Sequence, residues 1–385
     1  MDFDFSDEQR LLKESVDRLI LDQYGFEQRK KYMLEPEGWS RALWQQYAEM
    51  GLLALPFAEE DGGIGGTPLE TMIVMEAFGR GLILEPYFAT VVLGGGFLRF
   101  GGSAEQRAAL IPALIEGKLL LAFAQTEAQS RHDLCDVGTS AKRQGQDWVL
   151  DGKKCVVVHG DCADKLIVSA RISGNRRDKE GIALFLVDAK VAGVSRKGYL
   201  TQDNLRAADI TLAGVRVSAG DVIGEPGNAL PLIEHVVDAA IAALAADAVG
   251  GMQAMLETTV EYLKIRKQFG VAIGSFQALQ HRAAEMLIAV EQARSMAMYG
   301  TMAVEDTDPV ERRKAIAATK VQIGRSGKFV GQYSVHMHGG IGTTMECSVG
   351  HYFKRTTVID LSFGDADHHL SALARLGGLV PVERV

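Results

Sequence analysis

Asp247 sits in the run AAIAALAADAVGG (239–251), where nearly every neighbour is small and apolar. A carboxylate stripped of water is harder to ionise, so burial here raises its pKa toward neutrality, as a general base for a weakly acidic proton requires. The same setting suits a buried acid paired with an Arg or Lys across a helix bundle. Further on, YLKIRKQFGVAIGSFQALQ (262–280) gathers Arg266, Gln268, Phe269, Gly270, Phe276 and Gln277. A guanidinium offers a rigid donor fork to phosphate oxygens, and amides and aromatic faces suit the rest of a nucleotide. A plain helix end reads the same way, with Arg266 a solvated cation and Gly270 a C-cap.

In HMHGGIG (336–342), His336 precedes Gly339, Gly340 and Gly342. Glycines let backbone N–H groups approach a ligand with no Cβ in the way, although a tight turn between helices needs them too. No strand pattern precedes the run, so it is not a dinucleotide fingerprint of the βαβ kind. Asp365, Asp367, His368 and His369 also cluster, but adjacent positions do not converge on one helical face. The four cysteines (Cys135, Cys155, Cys162 and Cys347) show no CxxC or His-rich spacing. No metal is expected.

These side chains need elements to hold them. Residues 1–118 read as a helical domain: Ser6 and Gln9 make a capping box before Leu11, Leu12, Val16, Leu19 and Ile20 at helical spacing. Helical patterns recur from Trp39 to Met50, from Pro68 through Gly79 and from Ala104 to Ile115, around a glycine-rich loop at LLALPFAEEDGGIGG. Over 119–225 the period shortens. WVLDGKKCVVVHG, DKLIVSARI, GIALFLVDA and ADITLAGVRV read as strands of a compact β-barrel or sandwich, with Asp151-Gly152 as a hairpin turn and 173–181 as an exposed charged loop. From 226 to 385 long helices return. Leu279, Ala283, Met286, Val290 and Ala293 form one seam, and Ile316, Lys320, Ile323, Gly327, Val330 and Ser334 another, predicting a bundle of about four helices. The class is α+β with segregated elements.

Bulk composition narrows the functions. The chain has 385 residues, 47% of them hydrophobic and 23% charged, with a net charge of -8. That length calls for two or three domains, and the charge argues against nucleic-acid binding. No apolar run approaches the roughly 18 residues of a membrane span. The opening MDFDFSDEQR is acidic and mixed, so it does not read as a secretory signal, and a cytoplasmic location is expected.

Taken together, RKQFG (266–270), the opening DFSDEQRLLKESVDRL, the loop LALPFAEEDGGIG and HMHGGIG resemble the corresponding segments of acyl-CoA dehydrogenases, over essentially the whole chain. The resemblance implies that family's fold: an N-terminal all-α domain, a middle β-barrel domain and a C-terminal four-helix bundle. It implies FAD as cofactor. Arg266 would reach the pyrophosphate of an FAD held mainly by a neighbouring subunit, Phe269 would pack near its adenosine, and Gln268 and Gln277 would supply hydrogen bonds. The turn carrying His336, Gly339, Gly340 and Gly342 would lie against the ADP part across the dimer interface. For the flavin ring the family commonly has Thr-Glu-Pro-Gly-x-Gly-Ser-Asp and Trp-Ile-Thr-Asn-Gly; here the runs are TEAQSRHD (126–133) and VVVHG (156–160). Thr126 is kept for the pyrimidine edge. Valines, Val158 among them, replace the tryptophan and threonine. Arg131 is new, and with His132 it falls on the substrate side.

The family removes an α-proton from a CoA thioester while a β-hydride passes to flavin N5. Its usual glutamate, in an E-G-T segment, is here Phe363, with Asp365 at the threonine position among the cofactor contacts. A second group's glutamate on the bundle helix is here Ala240. Asp247, in A-D-A-V-G, matches a glutamate of the two-subunit dehydrogenases that act on steroid side chains and dicarboxylic acyl-CoAs. Asp247 is therefore the expected base, and the Phe363 N–H the expected donor to the thioester oxygen, because side-chain identity does not remove an N–H. Asp238 matches a position near the pantetheine, though an exposed helical aspartate is the preferred reading.

The expected activity is FAD-dependent α,β-dehydrogenation of a bulky, branched or dicarboxylic acyl-CoA, in steroid or fatty-acid degradation. An electron-transferring flavoprotein would accept the electrons, and the assembly would be a homo-oligomer or an α2β2 heterotetramer. The rival is a catalytically silent subunit that completes a homologous partner's FAD site. Oxidase or desulfinase chemistry on the same fold is a third reading.

Overall fold

Local signals build the first helices of the computed structural model, which describes residues 5–379; the first four residues of the acidic opening lie outside it. The expected capping box closes α1 (Asp7–Gln23): Ser6 Oγ accepts from the Gln9 N–H at 3.2 Å, and Gln9 Oε1 from the Ser6 N–H at 3.0 Å. After it come α2 (Phe26–Tyr32), α3 (Arg41–Glu49), α4 (Pro68–Gly81), α5 (Gly95–Gly101) and α6 (Ala104–Ile115). A π-helical stretch, Phe88–Gly94, runs directly into α5. Its one glycine serves packing, since a Cβ on Gly94 would lie 2.3 Å from Leu121 Cβ.

The middle stretch forms β1 (Leu121–Ala124), β2 (Ser140–Gln144), β3 (Asp147–Val158), β4 (Lys165–Arg171), β5 (Ile182–Asp188), β6 (Val194–Leu200), β7 (Arg206–Val217) and β8 (Val222–Gly227). They make one sheet in the order β6-β7-β3-β2-β4-β5-β8, with β1 added parallel to β4. This corrects the expected barrel. β6 and β8 end the path without pairing to each other, so the sheet stays open. Leu150, Leu166, Val168, Phe185 and Ile210 are fully buried in its core.

The turn at Asp151-Gly152 is corrected as well. Both residues lie inside β3 at a register shift, and the β2–β3 hairpin turns at Gly145, where Gln144 pairs with Asp147. Gly152 answers to packing, because a Cβ there would meet Thr139 Oγ1 at 2.4 Å.

The C-terminal stretch comprises α7 (Leu230–Ile265), a hairpin of β9 (Lys267–Gln268) and β10 (Val271–Ala272), then α8 (Gln277–Ala303), α9 (Pro309–His338), α10 (Ser348–Leu361) and α11 (Ala366–Arg375). α8, α10 and α11 pack on α9. Met286, Val290 and Ala293 of α8 and the whole α9 seam, Lys320 included, are buried as the spacing predicts, while Leu279 and Ala283 are half-buried. Two compact units result. Residues up to Lys31, Pro68–Ile83 and those from Ile241 onward form one; Tyr32–Thr67 and Leu84–Ala240 form the other. Among the described residues no helix is long and apolar enough to cross a membrane, and no cluster of three or more His, Cys, Asp or Glu could hold a metal ion.

Candidate active site

In the first unit Asp247 is buried, 4% exposed, as its alanine-rich helix predicts. Its surroundings are not purely apolar. Arg355 of α10 engages both carboxylate oxygens: Nε donates to Oδ1 at 3.3 Å and a terminal nitrogen donates to Oδ2. This is the pairing with an Arg across the bundle that the sequence left open: a two-point charge-assisted pair neutralises the carboxylate and engages its lone pairs. The partner lies 108 residues away in sequence.

Phe363 follows α10 in a left-handed conformation (φ 56°), and Gly364 continues at φ 108°. Asp365 caps α11, accepting from the His368 N–H at 2.8 Å, so its carboxylate serves the helix start. Burial drives the His369 imidazole down to about 3, with Lys320 adding to the effect, so it stays neutral at working pH. In the unfolded chain the ring takes a proton near pH 6.5. Between roughly pH 6.5 and 3 the unfolded state therefore binds more protons, and this group makes stability fall on acidification by up to about 1.4 kcal/mol per pH unit. His369→Gln, which cannot titrate, should show a shallower acid loss when urea midpoints are compared between about pH 6 and 4. Parallel curves for the two proteins would reject this.

The nucleotide-type residues gather on exposed backbone. Phe269 (φ 54°) and Gly270 (φ 83°) form the tip of the β9–β10 hairpin, a two-residue turn that needs both angles positive. Phe269 is 90% exposed and meets the Phe276 ring edge-on at 6.1 Å. Arg266, Gln268 and Gln277 are exposed too, and Gln277 begins α8. A Cβ on Gly339 or Gly340 would meet nothing within 4 Å, so those peptides face open space. Gly342 differs, because a Cβ there would press on Val335 O at 2.8 Å. His336 is exposed on the last turn of α9. The buried histidine of this turn is His338, stacked on Tyr262 at 4.4 Å with Nδ1 2.8 Å from Ser334 O. Extending the α9 seam by one turn beyond Ser334 finds it. A cation, amides, an exposed aromatic ring and uncovered peptides match what the diphosphate and adenosine of FAD need.

In the second unit, Thr126 follows β1 half-buried, and its carbonyl accepts from the Cys155 N–H at 2.8 Å. Beneath it lies a buried pair: Lys154 Nζ donates to Glu127 at 2.8 Å, Ser169 Oγ at 3.0 Å and Gln125 O at 3.2 Å. Burial pushes the Glu127 carboxyl up, but the Lys154 charge and the hydrogen bonds around it prevail and hold it well below the usual range. Val158 is half-buried, and Val156 is half-exposed at φ 52°, a strained conformation for a β-branched residue. Tyr199 Oη accepts from the Val156 N–H at 3.1 Å and donates to Asp209 at 3.0 Å, pinning that bulge. Backbone strain of this kind collects at functional sites. Arg131 is exposed at φ 48° and His132 is half-buried. Asp238 is 1% exposed, which corrects the preferred reading of an exposed helical aspartate.

Comparison with known proteins identifies the family. The N-terminal, middle and C-terminal domain models of acyl-CoA dehydrogenases match residues 6–118, 122–215 and 232–377. The probable acyl-CoA dehydrogenase YngJ of Bacillus subtilis is 27% identical over 97% of this chain and 99% of its own length. The long-chain specific mitochondrial acyl-CoA dehydrogenase of Sus scrofa is 29% identical over 87% of this chain and 79% of its own. Among solved structures, a variant of the Tcur3481–Tcur3483 steroid ACAD is 29% identical with a TM-score of 0.86, over 96% of this chain and 97% of that one. The ChsE4–ChsE5 complex from Mycobacterium tuberculosis is 26% identical with the same TM-score, over 97% and 98%. The chain therefore belongs to the acyl-CoA dehydrogenase family, FAD-dependent oxidoreductases that act on CH–CH groups.

Proposed function

We propose that this chain dehydrogenates a bulky, branched or dicarboxylic acyl-CoA at its α and β carbons. The observation that carries the reading concerns three register positions. Of those where the family would place its base, Phe363 and Ala240 are inert, and Asp247 is a buried carboxylate. In this reading Asp247 takes the α-proton after Arg355 releases at least one of its oxygens. The Phe363 N–H donates to the thioester oxygen as charge builds on it. FAD, when bound, supplies the acceptor for the β-hydride. Arg266, Gln268, Phe269, Gln277 and the Gly339–Gly340 peptides would reach the nucleotide end of an FAD held mainly by a neighbouring subunit, and Thr126 and Val158 would border the ring of the FAD that this chain itself holds. Arg131, His132 and Asp238 contact substrate. Similarity to the steroid ACAD and to ChsE4–ChsE5 supports the choice of acyl chain and an assembly of two homologous chains. An electron-transferring flavoprotein takes the electrons.

The Asp247–Arg355 pair favours a second reading, a silent subunit that lends its exposed clamp to a partner's FAD. One experiment separates them. Asp247→Asn should keep bound flavin but slow its bleaching by CoA thioesters by about a hundredfold or more, the usual worth of a general base. An unchanged bleaching rate would reject Asp247 as the base, and a wild-type chain that purifies colourless on its own would transfer the chemistry to the partner.

A further inference from the structure

The turn that carries Phe363 is held from three sides by side chains that the reaction itself does not call on. Lys320 enters from α9, fully buried, and its Nζ donates to Ile359 O at 2.7 Å, Asp360 O at 2.6 Å and Gly364 O at 2.7 Å. An ammonium has three protons, and here each has a carbonyl. These acceptors straddle Phe363: two belong to the last turn of α10, and one follows Phe363 itself. His369, from α11, adds the remaining anchor, with Nε2 3.0 Å from the Phe363 carbonyl. A carbonyl only accepts, so Nε2 carries the proton and the imidazole is the donor.

Gly364 leaves room for this, because a Cβ there would lie 2.9 Å from His369 Nε2. Below the turn, Asp360 Oδ1 accepts from the Ala366 N–H at 3.2 Å. A residue with a side chain, left-handed at φ 56°, is thus fixed through the carbonyls on both sides of it. Burial pulls the Lys320 ammonium down to about 8 against the opposing Asp360 and Asp365 charges, so it keeps its three protons at neutral pH.

We propose that Lys320 and His369 are positioning residues that aim the Phe363 peptide N–H at the thioester oxygen. The inference rests on the reading of that N–H as the oxyanion donor. A cap that merely ended α10 would need the contacts to Ile359 and Asp360. It would not need a separate donor on the Phe363 carbonyl, and that bond sets the tilt of the peptide linking Phe363 to Gly364 and, through the Phe363 dihedrals, of the N–H before it.

The test uses the full-length flavoprotein with two substitutions at one position. His369→Gln keeps an N–H donor within reach of the carbonyl, and His369→Leu removes it. The non-turnover probe is acetoacetyl-CoA with longer 3-ketoacyl-CoA homologues, read by the ultraviolet absorption of the bound enolate. Thermal melts confirm that each variant is folded.

The expected result is enolate on the wild type and on His369→Gln, with His369→Leu reduced about tenfold or more. Bleaching by saturated thioesters should fall in parallel through kcat, up to about a hundredfold, with little change in KM, as misplacing a reacting group does. Equal enolate on all three proteins overturns the positioning role while leaving the donor reading in place. A wild type that binds the probe without enolising it sinks the donor reading, and the inference with it.

Discussion

Arg355→Met is expected to destabilise the protein by about 3–5 kcal/mol, because it takes a bidentate guanidinium away from a buried carboxylate. The side chains of Arg355 and Asp247 are 11% and 6% exposed, so water cannot take the place of the guanidinium. Surface pairs such as Arg10–Asp7, with both partners more than half exposed, should be worth at most about 1 kcal/mol by the same logic. The decisive comparison is with the double variant Asp247→Leu/Arg355→Met. Removing both charges also removes the cost of burying them, so the double variant should recover most of what the single one loses. Urea unfolding of the three proteins measures this directly. A single-variant loss below about 1 kcal/mol would mean that the pair is wet and weak in solution, and Asp247 would then be available as a base without any rearrangement.

That pair also marks the limit of what the sequence discloses. The burial of Asp247 was legible, because alanines on every side of a helix leave no solvent face. A cationic partner was one of the readings, but its identity was not legible, because Arg355 sits on another helix, and nothing in the local pattern KRTTVIDL says which acid it will meet. The α8 and α9 seams and the α1 cap were legible for the complementary reason: each is encoded within a few turns. Lys320 stood in plain view at a seam position, and its tripod of carbonyls appears only once α10 and α11 fold back on α9.

Glycine misled at one turn. The Asp151-Gly152 dipeptide carries a hairpin signal, yet its glycine admits Thr139, and Gly145 makes the turn. The run Gly94–Gly96 has the composition of a loop but lets a helix press against Leu121 and Phe57. Closure of the sheet lay beyond local reading altogether. Four of its strands show clear alternation or apolar runs, but whether β6 and β8 meet depends on accumulated twist rather than on any one strand. At the candidate site the resemblance singled out Arg266 to Gln277 and the glycine turn, but the β9–β10 hairpin that carries Phe269 and Gly270 at its tip was not foreseen. His338, by contrast, follows from helix period alone.

Gly250→Ala should be among the most damaging single changes in the chain, although it adds one methyl group. A Cβ at Gly250 would lie 1.9 Å from Glu76 O and 2.8 Å from the Arg80 nitrogen, and one at Gly79 would lie 1.9 Å from Asp247 O. α4 and α7 therefore cross backbone against backbone, with a glycine from each helix at the contact. No rotamer change relieves a clash with a main-chain oxygen, so the helices must part, at a cost of about 3 kcal/mol or more. The neighbouring residue supplies the control. A Cβ on Gly251 would find Tyr352 Cδ1 at 3.6 Å, an ordinary contact, so Gly251→Ala should be neutral or stabilising by up to about 1 kcal/mol through helix propensity. Parting α4 from α7 also shifts the stretch that carries Asp247, so Gly250→Ala should weaken the hold of Arg355 and lose part of the stability that Arg355→Met removes. The two substitutions combined should then cost less than the sum of their separate effects. Equal denaturant midpoints for Gly250→Ala and Gly251→Ala would show that the helices do not touch as closely as these distances require.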